Sequence, residues 1–457
     1  MKIIVLGAGQ VGSTVARNLV LEDNEVTVVD TDADTLKDLQ THNDLRTVAG
    51  QASHPEVLRN AGAEDADMIL AATDSDETNI VAIQIAYTLF RTPAKIARIR
   101  SQEYMREKNL FNNDHIPIDV IISPEQLITE HIQRIIEHPG AIQVVDFAEG
   151  KVRMVGVDVQ ADAPMAGLAL SSLPGLLEDI ETRVMAVYRG EEVIIPDGST
   201  VIHEGDSVFF LGERANTARI MAQFYLVDKP CKRVMIAGGG NIGFLLAKKL
   251  ERFYSVKIVE TREERAVFLA TSLSSAMAFQ GDAANEDMLI EENIEDMDVF
   301  CALTNDDEAN ILSAMLAKRL GARKVMSLIN RPAYVDLVEG DIIDVAVSPQ
   351  QITIGALLTL IRRGDVVAVH SLRRGSAEAL EGVAHGEEGS SALVGRSIGD
   401  IKMPKNATVG VVVRGEEVLV AHHDLVVENE DHLIVLITDK KHVGGVEKMF
   451  QVGVTFV

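Results

Sequence analysis

Along the first stretch of the chain, short apolar runs alternate with longer segments of helical period. Ile3-Ile4-Val5-Leu6 is uncharged and mostly β-branched, as expected of a strand buried on both faces. Ser13 to Leu21 carries Val15 and Leu19 four residues apart and reads as a helix. Val26-Thr27-Val28-Val29-Asp30, Met68-Ile69-Leu70-Ala71-Ala72 and Lys95 to Arg100 read as further strands. Leu127, Ile128, Ile132, Ile135 and Ile136 have helical spacing, which fits an interface or a linker helix equally well. The pattern then changes. Val184 to Tyr188 and Ser207 to Leu211 are strand-like runs, separated by turns such as Pro196-Asp197-Gly198 and Gly205-Asp206.

The whole pattern occurs twice. Gly7-Ala8-Gly9-Gln10-Val11-Gly12 is matched by Gly238-Gly239-Gly240-Asn241-Ile242-Gly243, and the strand ending in Asp30 by one ending in Glu260. Thr73-Asp74-Ser75-Asp76-Glu77-Thr78-Asn79 is matched by Thr304 to Asn310, Ser123-Pro124 by Ser348-Pro349, and Arg189-Gly190-Glu191-Glu192-Val193 by Arg414 to Val418. The 457 residues are therefore two copies of a two-lobe unit. The expected lobes are 1–138, 139–228, 229–363 and 364–457, with joints near Pro139-Gly140, Asp228-Lys229-Pro230 and Arg363-Gly364.

Composition narrows the function. Forty-three Lys and Arg against 69 Asp and Glu give a formal charge of −26. Nucleic acid and anionic lipid are thus excluded as general partners, since both require a basic footprint. No run approaches the roughly 18 apolar residues of a membrane span, so a cytoplasmic chain is expected. Cys231 and Cys301 have no metal or redox spacing. His422 and His423 are expected at the surface.

Gly-x-Gly-x-x-Gly is informative here because it follows a strand and opens a helix. Gly7 allows the tight turn, Gly9 lets the backbone approach a pyrophosphate, and Gly12 lets the helix sit close to the strand. Gln10 and Val11 begin the helix, whose amino end offers N–H groups and a positive dipole to an anion. Asp30 lies 18 residues after Gly12, where an acid accepts hydrogen bonds from ribose hydroxyls. A carboxylate there favours NAD⁺ or NADH over the 2′-phosphorylated cofactors; ATP or ADP fits the same groove. Gly238, Gly240, Asn241, Ile242, Gly243 and Glu260 repeat the arrangement. Arg262 stands close behind, to stack on adenine, contact phosphate or face solvent.

Thr73 and Asp74, with Thr304 and Asn305 in the second copy, sit at a strand's carboxyl end, where open α/β sheets bind ligands. Capping of the next helix is the alternative role. Strand alternation places Arg98 and Arg100 on one face, as phosphate contacts, interface residues or solvated side chains. Ser327 and Asn330 stand near those positions in the second copy. Neither smaller lobe shows a Ser/His/Asp or Cys/His arrangement, and His203 of one copy corresponds to Glu428 of the other. An NAD-dependent oxidoreductase is therefore the lesser alternative to a sensor.

The opening Met1 to Gly12, Asp30, Ala72-Thr73-Asp74, Val120-Ile121-Ile122-Ser123-Pro124 and the duplicated plan together resemble the TrkA family of tandem RCK (KTN) proteins. The resemblance covers the full chain. It implies a Rossmann-like parallel-sheet N-lobe followed by a small α+β C-lobe, twice over. It further implies NAD(H) or adenine-nucleotide binding, and no enzymatic activity. Residues from Pro124 to Glu137 and from Gln350 to Arg362 would be crossover segments between modules. The implied assembly is a homotetrameric ring beneath a membrane-embedded Trk-type potassium channel subunit, on the inner face of the membrane, gating potassium flow. Two departures stand out: Gly-Gly-Gly in the second loop, and Asn305 for Asp74, an amide that favours a more negative ligand such as a nucleotide polyphosphate.

Overall fold

The computed structural model describes residues 1–21, 24–107, 109–190, 192–226, 230–338, 342–361, 366–373 and 376–451. Glu191, Arg362 and the joints expected at Asp228-Lys229 and Arg363-Gly364 lie outside them, as does the side chain of Gln10. The chain divides into two compact units, Met1–Thr129 with Ser348–Leu357, and Glu130–Val347 with Leu358–Val457.

The first unit holds a six-stranded parallel sheet of β1 (Lys2–Leu6), β2 (Glu25–Asp30), β3 (Arg46–Ala49), β4 (Met68–Ala71), β5 (Ala94–Arg98) and β6 (Val120–Ile122). Its order, β3-β2-β1-β4-β5-β6, reverses direction between β1 and β4. That reversal leaves a crevice at the carboxyl ends of these two strands, the usual ligand position in doubly wound sheets. All four residues of β4 are buried, so β-branched and aliphatic residues without alternation follow from cover on both faces. Ile4, Leu6, Val29, Ile69, Ile83 and Ala97 form the core on one side. Gln350 returns to this unit from late in the sequence and bonds the Thr14 hydroxyl on helix Gln10–Leu21.

The second unit holds three sheets. The first is antiparallel, in the order β10-β9-β11-β8-β7, from β7 (Ala141–Phe147), β8 (Val152–Asp158), β9 (Thr182–Arg189), β10 (Glu192–Ile194) and β11 (Ser207–Glu213). The second repeats the parallel sheet as β14-β13-β12-β15-β16-β17, from β12 (Arg233–Ala237), β13 (Ser255–Glu260), β14 (Met277–Gln280), β15 (Val299–Ala302), β16 (Lys324–Leu328) and β17 (Val345–Val347). The third repeats the antiparallel sheet as β18-β19-β22-β20-β21, from β18 (Val366–Leu372), β19 (Ala377–Val383), β20 (Ala407–Arg414), β21 (Glu417–Val420) and β22 (His432–Ile437).

The two antiparallel sheets share one core, in which Phe147, Met154, Tyr188 and Phe209 meet Leu372, Ala379, Val411 and Ile434. Glu381 is buried between them. Its carboxylate accepts the Ala148 N–H at 2.9 Å and lies 2.6 Å from His432 Nδ1. Each sheet also carries the same ion pair, a partly exposed arginine on a buried aspartate, Arg189–Asp206 and Arg414–Asp431, with both guanidinium bonds at 2.8–2.9 Å. Burial pushes the Asp206 carboxyl up, but the Arg189 hydrogen bonds and the His203 N–H outweigh it and hold it below its usual value. His203 and Glu428 are equivalent, as read from the repeat: each donates its backbone N–H to the aspartate at 2.8 Å.

The helices expected as crossovers are the ones cut by the division between units. Helix Pro124–Glu137 is divided after Thr129, and helix Pro349–Ile361 after Leu357. Cys301 is buried in β15, and His422 and His423 are exposed.

Candidate functional site

Each glycine of the first loop meets a different demand. Gly7 has φ +103°, and a Cβ there would lie 2.8 Å from the Ala72 carbonyl oxygen, so only glycine makes this turn. At Gly12 a Cβ would lie 1.9 Å from the Gly7 carbonyl oxygen, because helix Gln10–Leu21 starts hard against β1. Gly9 differs: among the described residues, its two chain neighbours apart, a Cβ there would meet nothing within 4 Å. The second loop repeats all three findings, with Gly238 at φ +106°, Gly243 at 2.0 Å from the Gly238 oxygen, and Gly240 open. Gly240 has φ −63° and ψ −166°, a conformation open to any residue. Neither packing nor backbone geometry asks for glycine at these two positions. Helix starts at Gln10-Val11 and Asn241-Ile242 place first-turn N–H groups beside them.

The acids close on the loops. Asp30 accepts the Ala8 N–H at 2.5 Å with one oxygen and the Asp32 N–H at 2.9 Å with the other. Glu260, longer by one methylene and buried, accepts the Gly239 N–H at 3.0 Å, the Arg262 N–H at 3.0 Å and Arg262 Nε at 3.2 Å. Burial raises its pKa, but these donors prevail and hold it below the usual carboxylate value. The extra methylene also explains Gly-Gly-Gly: a Cβ on Gly239 would lie 3.0 Å from Glu260 Oε2 and 2.3 Å from Leu269.

Beyond the acids the copies diverge. Asp32 caps helix Ala33–His42, accepting N–H bonds from Asp34 and Thr35. Its counterpart Arg262 stands at the N-cap of helix Glu263–Ser272 and makes no side-chain cap bond. Losing the cap and placing a cation at the positive end of a helix costs about 1–2 kcal/mol. Arg265, in the first turn, lies across the loop. Its Nε donates to the Gly239 carbonyl at 2.6 Å, and its guanidinium sits 4.5 Å from the centre of the Phe268 ring. The corresponding residue in the first copy is Thr35, which bonds Asp32.

At the ends of β4 and β15, Thr73 and Thr304 do not cap the next helix; Ser75 and Asp306 do. The threonines instead bond the buried Asn79 and Asn310, hydroxyl to amide oxygen at 2.7 Å in both copies. Each asparagine then donates at 2.9 Å to the last carbonyl of the adjoining strand, Arg98 or Leu328. This clamp fixes the crevice wall. Asp74 and Asn305 are exposed at its rim.

Arg98 and Arg100 are each paired with a carboxylate. The strand ends at Arg98, with Ile99 buried between the two arginines. Arg98 pairs with Glu125 at 3.2 Å, while Arg100 lies 3.6 Å from Asp76 and bonds the Asp74 carbonyl. In the second copy Leu328, rather than Ser327, takes the place of Arg98, and Asn330 bonds Asp307 at 2.9 Å.

Comparison with known proteins places the chain. The TrkA-N domain pattern matches residues 3–124 and 234–349, and the TrkA-C domain pattern matches 154–225 and 388–443. The Trk system potassium uptake protein TrkA of Halomonas elongata is 55% identical over 456 residues, covering all of both chains. The chain belongs to the TrkA family. Other TrkA proteins, from Vibrio alginolyticus and Haemophilus influenzae, are 55% and 49% identical, covering 99% and 100% of both chains. Relatives are thus named as potassium uptake proteins and not as enzymes, in keeping with the non-catalytic reading. Among solved structures, the GsuK RCK domain shares the fold, with a TM-score of 0.62 at 16% identity over 98% of this chain and 95% of that one. For this TrkA chain, sequence reasoning overlooked Arg265 and the two clamp asparagines. Both asparagines lay inside the quoted repeat, and their identity in both copies was the available signal.

Proposed function

We propose that this TrkA chain is a nucleotide-responsive regulatory subunit of a potassium uptake system. It comprises four lobes with bounds 1–138, 139–228, 229–363 and 364–457. One observation carries the nucleotide reading. Gly9 and Gly240 stay glycine in both copies, although nothing in the packing of the described residues requires it. Close approach of a ligand's pyrophosphate does require it. In this reading Gly7, Gly9, Gln10, Val11, Gly12, Asp30, Thr73 and Asp74 line the first site. Arg98 and Arg100 stand behind it, held by their carboxylate partners. Gly238, Gly240, Asn241, Ile242, Gly243, Glu260, Arg262, Thr304 and Asn305 line the second.

The first site takes NAD⁺ or NADH, and the second an adenine nucleotide, ATP and ADP included. Support for the ligand class comes from GsuK, a fold neighbour whose channel has been solved bound to NAD (TM-score 0.60, 17% identity, 98% of this chain, 78% of that one). Support for the partner comes from the relatives' membership of a Trk potassium uptake system. No helix among the described residues is long and apolar enough to cross a membrane. In this reading the chain acts from the cytoplasmic face, as a homotetrameric ring docked on a membrane-embedded potassium subunit. A nucleotide gates it only through a difference in affinity between two ring states.

Titration calorimetry of the full chain with NADH, NAD⁺, ATP and ADP tests the ligand claim. Saturable binding of a nicotinamide dinucleotide is expected. Absence of binding by all four ligands contradicts the reading. Steady NADH consumption with carbonyl substrates would favour an oxidoreductase instead.

A further inference from the structure

The second glycine loop carries a charge that the first does not. Around the first loop the acid and the following rim residues are Asp30, Asp32 and Thr35, two carboxylates in all. The same positions in the second copy are Glu260, Arg262 and Arg265, one carboxylate and two guanidiniums. The change is from −2 to +1. Nearby, Glu263 for Ala33 and Val267 for Lys37 each make the second copy more negative by one, and Phe268 for Asp38 gives one back, so the whole segment is more positive by two.

Arg262 is poorly explained by folding, whereas Arg265 is held in place by it. Arg262 replaces a capping aspartate and cannot cap, and it puts a cation at a helix's positive end. Its side chain is largely exposed apart from the Glu260 contact. Arg265 is fixed in place by the Phe268 face and by the Gly239 and Gly240 carbonyls, at 2.6 and 3.4 Å. Burial, and after it the Arg262 guanidinium, push Arg265 below its usual pKa, so the two cations feel one another. Glu260, like Asp30, has a backbone N–H on each oxygen, but it is also buried and takes Arg262 Nε. A buried carboxylate with two guanidiniums outside it is the inverse of the first copy's rim. Residues that break local rules at measurable cost are expected where a ligand compensates.

We propose that Arg262 and Arg265 form a phosphate subsite at the ribose end of the second loop, and that this loop takes a 2′-phosphorylated adenosine, the NADP(H) class. The inference rests on the nucleotide reading of the loops. An acid at the strand end binds a ribose 2′-hydroxyl, whereas an arginine just beyond it accommodates a 2′-phosphate. Arg265 is pre-positioned by its aromatic shelf, and Arg262 closes over the phosphate from the helix start. The first loop, with Asp30 and Asp32, repels the same group. One chain would then read a non-phosphorylated dinucleotide at one loop and a phosphorylated one at the other.

The test uses the full chain and compares NADPH with NADH, adenosine 2′-monophosphate with adenosine 5′-monophosphate, and ATP. Arg262→Asp restores the first copy's cap, so it keeps or raises thermal stability; Arg265→Ala is the second variant. Wild type is expected to bind NADPH at one site at least tenfold tighter than NADH binds there, and to prefer the 2′-monophosphate. Each variant is expected to weaken NADPH by about 10- to 100-fold while leaving the NADH site unchanged. NADPH binding no tighter than NADH, or unchanged in both variants, overturns the subsite while NADH binding at the first loop stands. A loss for ATP equal to that for NADPH assigns the pair to a polyphosphate and also overturns it. Loss of all nucleotide binding in wild type is a different failure, that of the loops themselves.

Discussion

Alanine at the two open glycines separates a ligand's demand from a fold's. In Gly240→Ala the new methyl meets nothing within 4 Å among the described residues, its two chain neighbours apart, and the backbone at φ −63° accepts it without strain. Two small terms then act on stability. Restricting the unfolded chain gains about 0.4–1 kcal/mol. Alanine is a poorer N-cap than glycine and gives back up to about 1 kcal/mol. The net change is within about 1 kcal/mol, a melting shift of roughly 2–4 °C in either direction. A methyl in the path of a pyrophosphate forces it outward and lengthens its bonds to the helix amides. Losing one charge-assisted bond costs about 1.5–3 kcal/mol, or roughly 10- to 150-fold in affinity. Gly9→Ala should behave in the same way at the first loop. Gly12→Ala is the contrast, because its methyl would lie 1.9 Å from a carbonyl oxygen of the preceding turn. It should cost about 3 kcal/mol or more and lower the melting temperature whether or not ligand is present. Differential scanning calorimetry and isothermal titration on the three variants supply both numbers. The reasoning fails if Gly9→Ala and Gly240→Ala keep wild-type nucleotide affinity, or if either destabilises the free protein as Gly12→Ala does.

Further outcomes follow from the second unit and the crevice walls. His131 and His370 are both pushed down to about 4, first by burial and next by Arg134, with Asp146 opposing at His370. The unfolded chain binds protons at these positions below about pH 6.5 and the folded chain does not, so stability falls as pH drops from 6.5 toward 4. At pH 5.5 the loss is about 1 kcal/mol per histidine; denaturant midpoints at pH 7.5 and 5.5 would measure it, and His370→Phe should remove about half. Asp431→Ala should cost about 1–3 kcal/mol, because it removes two Arg414 bonds and the acceptor of the Glu428 N–H, while Arg414 keeps Glu428 as a partner. A melting temperature within 2 °C of wild type would contradict that pairing. Asn310→Leu leaves the Thr304 N–H and the Leu328 carbonyl without partners, and should cost about 1–3 kcal/mol while weakening nucleotide at the second loop more than at the first.

Most of the fold was legible because it was written twice. Both parallel sheets rise from runs such as Ile3–Leu6 that read as doubly covered strands, and the repeat of the glycine loop and its acid locates the second copy. The glycines were legible as a motif, but their separate reasons were not. Gly12 answers to a carbonyl oxygen and Gly9 to nothing among the described residues beyond its chain neighbours, a distinction that needs coordinates. The Gly-Gly-Gly departure was visible in the sequence without a reason. The reason is the room taken by the Glu260 carboxylate and Leu269. The carboxylate partners of Arg98 and Arg100, Glu125 and Asp76, were not legible because the fold brings them there from other elements. Arg265 was overlooked because its partners, Phe268 and the glycine loop, come together only once helix Glu263–Ser272 packs beside β13. The pairing of the two antiparallel sheets was equally hidden, since inward-facing residues read alike whether they pack on a helix or on a second sheet.

Potassium flux is the most direct test of the account's central claim, that the two glycine loops are the nucleotide inputs to a potassium transporter. The purified chain and its membrane subunit would be co-reconstituted in vesicles and tracer potassium uptake followed with and without NADH, NADPH and ATP. Uptake that depends on nucleotide with the wild-type chain, and loses that dependence with Gly9→Ala combined with Gly240→Ala while the ring still binds the vesicles, is the predicted result. Flux that responds to nucleotide equally in wild type and the double variant would contradict it.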